Sequence, residues 1–186
     1  LEAIVNDPGV QLDALILPGH VSTITGIGIY QFLAEKYHIP GVVTGFEAVD
    51  VLQGIAMLVR QLHEGRAEIE IAYERGVRTD GNPVAQKIIA DVFDTCEATW
   101  RGLGPIPDSG YCLKPEFAEF DAVARFQPDV EPTRDPRGCR CGDVLRGAIT
   151  PSSCPLFGRT CTPEHPVGPC MVSSEGSCAA YFRYRN

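Results

Sequence analysis

Long hydrophobic runs are missing from this sequence, and no apolar stretch approaches the roughly 18–20 residues that a membrane-spanning helix requires. The amino terminus lacks the basic segment and apolar run of a secretory leader, which points to a cytoplasmic chain. Cations are scarce. With 16 Lys and Arg against 24 Asp and Glu, the net charge is −8, a balance that argues against a nucleic-acid partner, whose phosphates select clustered Lys and Arg. Arg134, Arg137 and Arg140 stand beside Asp135 in a Pro-rich stretch and read as solvated. Cysteine is absent before Cys96, and the short C-x₂-C knuckles from which most structural zinc sites are built occur nowhere.

An apolar fraction of 44% is nevertheless enough for a core, and 22% charged residues is ordinary for a globular chain. The 186 residues suit one domain with an appendage, or two small domains. Leu1, Ile4 and Val5 have helical spacing and stop at Asp7-Pro8, like the tail of a helix whose beginning is missing, so the sequence is expected to be a fragment. Ala14–Leu17 is a continuous apolar run closed by Pro18-Gly19, the pattern of a strand buried on both faces. Ser22 is placed to cap a helix reaching about Tyr37, with Ile27, Tyr30, Ala34 and Tyr37 on one stripe. Val42–Thr44 reads as a second strand. Val51, Leu52, Ile55, Leu58, Val59 and Leu62 recur at threes and fours over a helix from Glu47 to His63, with Gly65 as its stop. Ile69, Ile71 and Tyr73 alternate with Glu68 and Glu70 as a strand nearer an edge. Asn82-Pro83 opens a further helix whose face runs Ala85, Ile88, Ile89, Val92, Phe93, Cys96. Strands alternating with helices predict an α/β fold with a short parallel sheet flanked by helices over residues 1–100. An irregular Pro/Gly-rich connection over 101–138 and a Cys-rich region over 139–186 follow.

Six of the eight cysteines lie from Cys139 to Cys178. Disulfide frameworks belong to secreted chains with weak cores, so a reduced, metal-binding use is expected. Cys141, Cys154, Cys161 and Cys178 are separated by 12, 6 and 16 residues. Such wide spacing suits a cubane, whose corners stand further apart than the ligands of one ion. Cys139 competes with Cys141 for the first position. Cys170 falls outside this set, Cys96 reads as a core residue on its helical face, and Cys112 has no assignment. The alternative is a zinc-stapled protein-interaction module without a redox role.

Three further residues are candidates for chemistry. His20 follows a strand at the carboxyl end of the sheet, where α/β proteins place ligand crevices, against the plainer reading of a loop histidine that satisfies backbone groups. Glu47 shares that edge, although a carboxylate at a helix start is independently favoured by the dipole. Glu175 stands close in sequence to Cys178, suited to handling a proton or positioning a ligand. Gly26-Ile-Gly28 lacks the third glycine of a dinucleotide fingerprint, and that reading is rejected.

Several motifs then converge. Pro169-Cys-Met-Val-Ser-Ser-Glu-Gly176 with Cys178-Ala-Ala-Tyr181, Cys141-Gly-Asp-Val-Leu-Arg-Gly147, Cys154-Pro-Leu-Phe-Gly158, Cys161-Thr-Pro-Glu164, Pro18-Gly-His-Val-Ser22, Pro40-Gly-Val-Val-Thr-Gly-Phe-Glu47 and Trp100-Arg-Gly-Leu-Gly-Pro-Ile-Pro107 resemble the signatures of the HypD family, nearly end to end. The resemblance implies a [NiFe]-hydrogenase maturation factor, a metallocentre assembly protein with a redox role. It implies a [4Fe–4S] cluster on Cys141 (or Cys139), Cys154, Cys161 and Cys178, and favours a functional role for His20, with Glu47 and Glu175 remaining candidates from their positions. It also implies HypC and HypE as partners, a transient Fe(CN)2CO unit as cargo and the hydrogenase large subunit as its destination. One departure stands out: the Cys-Pro-x-Cys motif and separate thiol of the family's N-terminal region have no counterpart here.

Overall fold

A computed structural model describes residues 1–100, 102–129 and 136–185. Arg101, Arg134 and Asp135, read above from the sequence, lie outside the described residues. The chain divides into two compact units, Leu12–Phe93 on the one hand and Leu1–Gln11 with Asp94–Asn186 on the other.

The first unit is a three-stranded parallel sheet, β1 (Leu15–Pro18), β2 (Gly41–Thr44) and β3 (Ile69–Ile71), in the order β1-β2-β3. Leu15 pairs with Gly41, and Gly41 with Ile69. β2 is central and its four residues are all buried, which is what an apolar run between two neighbours requires. β1 is an edge strand. The expectation that it would be buried on both faces fails, because Ile16 is half exposed while Leu17 turns into the core.

The long helix expected from Ser22 to Tyr37 is two helices. A short helix α1 (Glu2–Val5) precedes β1, and α2 (Gly19–Thr25) follows it and ends at Gly26. A 3₁₀ turn at Gly28–Tyr30 then leads into α3 (Gln31–Tyr37). Gly26 has φ +69, a conformation that stops the α2 ladder. Ser22 is therefore no cap. It lies inside α2, where its hydroxyl donates to the Pro18 carbonyl (2.7 Å) and sits 3.4 Å from the Tyr30 hydroxyl.

α4 (Ala48–Glu64) ends on Gly65 in the left-handed conformation, as the sequence predicts. Its inward face differs from the apolar stripe, however. Asp50, Gly54, Leu58 and Gln61 are buried, whereas Leu52, Ile55, Val59 and Leu62 are exposed. Gly54 faces in because a Cβ there would lie 2.2 Å from Thr44 Cγ2, so only glycine lets the helix approach β2. Gln61 is satisfied, its amide donating to Glu70 (2.5 Å) and its carbonyl accepting from the Glu68 N–H (2.8 Å). α5 (Pro83–Val92) starts at Asn82, whose side chain accepts from the Ala85 N–H at 3.1 Å.

In the second unit the expected helical face does not extend to Cys96. The chain switches at Phe93 into β4 (Phe93–Trp100), which forms a two-stranded sheet with β5 (Gly104–Leu113) inside the stretch expected to be irregular. Thr95, Thr99 and Trp100 favour an extended backbone over a helix, and a turn after Trp100, closed by the Leu103 N–H on its carbonyl, folds the strand back. α6 (Ala122–Phe126), capped by Asp121, follows. α7 (Cys141–Leu145), α8 (Pro169–Val172) and α9 (Ser177–Tyr184) then frame the Cys-rich region. Among the described residues no helix is long and apolar enough to cross a membrane.

Candidate metal centre

The Cys-rich region has a small core of its own, and much of it is sulfur. Cys141, Val144, Cys161, Cys170, Met171, Cys178 and Ala179 are buried together, with Ile149, Leu156 and Phe157 packed at the margin. Phe157 meets Tyr181 and Phe182 edge-on, both at 5.9 Å between ring centroids, which ties the Cys154 loop to α9.

Short turns set each thiol. Cys139 follows Gly138 at φ +80, its N–H bonded to the Pro136 carbonyl at 3.0 Å. Cys141 opens α7, and Cys154 leaves the 3₁₀ turn at Pro151–Ser153. Cys161 is clamped by its N–H to the Leu156 carbonyl (3.0 Å), and its sulfur accepts from the Val167 N–H at 3.4 Å. Gly176, packed against the Cys170 carbonyl where a Cβ would come within 2.2 Å, delivers the chain into α9 and Cys178.

All six of these cysteines line one cavity, closed by Leu156, Phe157, Gly168 and Met171. Two of the six are joined, for Cys141 and Cys170 form a disulfide. Cys139, Cys154, Cys161 and Cys178 stand outside that disulfide. Of the two candidates for the first ligand position, Cys141 is the one held in the disulfide and Cys139 is not. No spacing rule signals the Cys170 partnership, because it depends on α7 and α8 both packing against α9. Burial pushes the Cys178 thiol up to about 11, with the nearby Cys154, Cys161 and Cys139 sulfurs adding to the effect. A thiol so placed resists ionisation unless a cation shares the site. Among the described residues, no three His, Cys, Asp or Glu side chains are gathered as for a single metal ion.

Asp143 in α7 accepts from Arg140 and from Arg146 (2.5 Å), and Arg146 also pairs with Asp7 of the amino-terminal segment. The hydrogen bond from Arg140, then that from Arg146, holds the Asp143 carboxyl below the usual range. Glu175 is exposed, in the turn between α8 and α9, with its N–H on the Ser173 hydroxyl at 3.2 Å. Its position is near Cys170 and Cys178 in sequence, but unlike them it is exposed.

In the first unit His20 and Glu47 do share the carboxyl end of the sheet. His20 begins α2 and lies against Phe46, 4.2 Å between centroids, and Glu47 precedes α4 and pairs with Arg75 at 3.4 Å. Asp50, which the sequence marks only as the companion of the Pro40–Glu47 motif, takes a structural role that sequence reasoning did not give it. Its buried carboxylate accepts two hydrogen bonds from Arg75, at 2.6 and 2.7 Å, while Tyr73 stacks beneath the guanidinium. Asp50 stands three residues after Glu47, in capping-box position, a signal that was present in the sequence. The Arg75 hydrogen bonds hold the Asp50 carboxyl below its ordinary range, opposed by burial and helped by the Arg75 charge and the Glu47 N–H. A depressed carboxyl stabilises the fold fully above the ordinary aspartate value of 3.8 and loses that contribution as pH falls through its lower folded value. Thermal unfolding of wild type and Asp50→Asn, followed by far-UV circular dichroism, should therefore differ at neutral pH and converge below that window. A gap independent of pH would refute the account.

The family model described as Hydrogenase formation hypA family, HypD, matches residues 1–185. The chain belongs to the HypD family. It is 49% identical over 183 residues to hydrogenase maturation factor HypD1 of Bradyrhizobium diazoefficiens, covering 98% of this chain and 48% of that protein. It is 46% identical over 186 residues to hydrogenase maturation factor HypD of Escherichia coli, covering 100% of this chain and 50% of that one. It is likewise 46% identical over 186 residues to a putative hydrogenase expression/formation protein of Methanocaldococcus jannaschii, covering 100% of this chain and 51% of that protein. The chain thus spans about half the length of the curated relatives it matches.

Proposed function

We propose that this HypD chain is the cluster-bearing half of a hydrogenase maturation factor and holds a [4Fe–4S] cluster on Cys139, Cys154, Cys161 and Cys178. The observation that carries the reading is the gathering of these four cysteines, none of them in the disulfide, around one otherwise apolar cavity. The donor set fits the group. Four thiolates are what a cubane takes, and sulfurs distributed around a cavity suit its corners better than they suit one ion. When bound, such a cluster supplies one-electron transfer. The chain itself supplies the rest: Leu156, Phe157 and Met171 exclude water, and the Val167 N–H donates to the Cys161 sulfur. The Cys141–Cys170 disulfide faces the same cavity. Opening it takes two electrons and two protons and frees two thiols, which makes it a redox partner built into the wall of the site.

In this reading His20 and Glu47 handle protons or ligands at the sheet edge, and Glu175 does so near the thiols. HypC and HypE are the partners through which an Fe(CN)2CO unit reaches the hydrogenase large subunit. Iron, sulfide and zinc measured on an anaerobic preparation test the core of the proposal. About four irons and four sulfides per chain, with brown colour, are expected. A colourless protein with stoichiometric zinc would replace it with the zinc-stapled module. For the partner role, His20→Ala in a full-length relative should lower hydrogenase maturation with the cluster retained, and normal maturation would return His20 to packing against Phe46.

A further inference from the structure

The two cysteines outside the Cys-rich region are far apart in sequence yet meet on the β4–β5 sheet. Gly110 faces Ala98, since a Cβ on Gly110 would lie 2.7 Å from the Ala98 Cβ. The strands are joined by a short turn, Leu103 N–H to the Trp100 carbonyl at 3.0 Å, which allows only the antiparallel arrangement. Two residues on from that facing pair, in opposite senses, stand Cys96 and Cys112. Because side chains alternate along a strand, both fall on the face shared by Ala98 and Gly110. Two further observations agree. The Cys112 thiol lies 3.6 Å from the Asp94 carbonyl, at the Cys96 end of β4. The Cys96 thiol is also held above its ordinary range, with Cys112 as the first cause, as adjacency of the two requires. Both are free, Cys112 exposed and Cys96 half-buried.

We propose that Cys96 and Cys112 are a second dithiol site, which closes reversibly to a cross-strand disulfide by exchange with small disulfides of the glutathione class. Facing residues on antiparallel strands have Cα separations of about 4.5–5.5 Å, inside the range a disulfide spans, so closure needs no backbone rearrangement. Exposure assigns the order of events. The Cys112 thiolate attacks one sulfur of the small disulfide, forming a Cys112–S–S–R bond and expelling one thiolate. The Cys96 thiol then loses its proton to solvent and attacks the Cys112 sulfur. That step forms the Cys96–Cys112 bond and expels the second thiolate, which takes up a proton. In total two protein thiols are oxidised to one disulfide, and one small disulfide is reduced to two thiols.

The environment of Cys96 favours this sequence. Its thiol is held above the ordinary range first by the hydrogen bond to Cys112, then by burial and by the charges of Cys112 and Asp108. Once Cys112 is in the mixed disulfide, it no longer presents a thiolate to Cys96, and the resolving thiol ionises more readily. The pair lies on a sheet of only two strands, a kind of element with little stability of its own, so a cross-strand bond rigidifies the segment that follows the sheet unit.

The site is separable from the metal centre by chemistry. Trypsin cleaves after Arg101, which puts Cys96 and Cys112 on different peptides. The full chain, prepared anaerobically, is incubated with oxidised and reduced glutathione at graded ratios, quenched by alkylation and digested. The expected product is a linked pair of peptides carrying Cys96 and Cys112, near-quantitative at the oxidising end and lost on treatment with dithiothreitol. Cys96→Ser should instead accumulate a glutathione adduct on Cys112, because nothing resolves it. Wild type that accumulates the same Cys112 adduct overturns the proposal. So does a chain in which both cysteines stay alkylated, or in which either links to a cysteine of the 139–178 region.

Discussion

Alanine at Cys139, Cys154, Cys161 or Cys178, one at a time, is expected to lower the iron content from about four per chain to fewer than about one. Each sulfur lines the same cavity, and a cubane with a missing corner ligand is left open to water and oxygen on that side. The loss should extend to the fold. The Cys-rich core contains few aliphatic side chains beyond Val144, Ile149 and Leu156, so on the proposed reading the cluster would replace packing, and its binding would become folding free energy. The variants should accordingly lose protection of α7, α8 and α9 against proteolysis.

Cys141→Ala and Cys170→Ala make the comparison informative. Both residues face the cavity and both are buried, yet they are bonded to each other, so these variants should keep their iron and lose only the disulfide. Gly168→Ala probes the geometry without touching a sulfur. Its Cβ would stand 2.6 Å from the Cys139 sulfur, which must then rotate away, and intermediate loading is expected. Full iron in any of the four thiol variants, or loss of iron in Cys141→Ala with retention in Cys139→Ala, would reverse the ligand assignment.

How much of this was legible beforehand follows from which forces set each feature. β2, β3, α4 and α5 were readable because local signals agree: the apolar Val42–Val43 run, Gly65 at the α4 stop, and Asn82-Pro83 at the α5 start. The inward face of α4 was not. Its direction is decided by close approach of Gly54 to Thr44 and by the Asp50–Arg75 pair, both tertiary, and these override a stripe of Leu, Ile and Val that points outward. The Cys-rich region was readable as a cluster of thiols from composition, and as a particular family from its motifs. Which of Cys139 and Cys141 enters a disulfide was not, because two thiols separated by one residue differ only in what the rest of the fold brings to them. Here that is Cys170, from 29 residues away. Cys96 was misplaced for the converse reason, since the apolar spacing of α5 continues into β4 and only the turn after Trp100 reveals a strand.

The largest effect in the sheet unit is expected from a single methyl group. Gly26 and Gly28 frame one isoleucine, and neither belongs to a nucleotide-binding loop, so their roles must come from backbone geometry. Gly26 sits at φ +69 and ψ −163, a region that residues with a side chain hardly enter. An added Cβ would meet the Thr79 carbonyl oxygen at 2.3 Å and the Asp80–Gly81 peptide at 2.7 Å, backbone on every side. That backbone cannot withdraw, for it is stitched to the α2 segment by Ile27 N–H to Thr79 (3.0 Å), Asn82 N–H to Ile24 (3.0 Å) and the Gln86 amide to both Ile24 and Asp80 (2.8 Å). Conformational strain of about 1–3 kcal/mol and overpacking of about 1–3 kcal/mol combine in Gly26→Ala. Against a total stability of about 5–15 kcal/mol, that is a large fraction. Gly28 is the control within the same tripeptide: a Cβ there meets nothing within 4 Å, and its φ lies outside the left-handed region. Thermal unfolding followed by far-UV circular dichroism should show Gly28→Ala within a degree or two of wild type, at most about 0.5 kcal/mol away. Gly26→Ala should be lowered by about 10 °C or more, or be unfolded outright. Equal behaviour of the two variants would mean that the Ile24–Ile27 and Thr79–Asn82 segments are not locked together, and the break between α2 and α3 would need another cause.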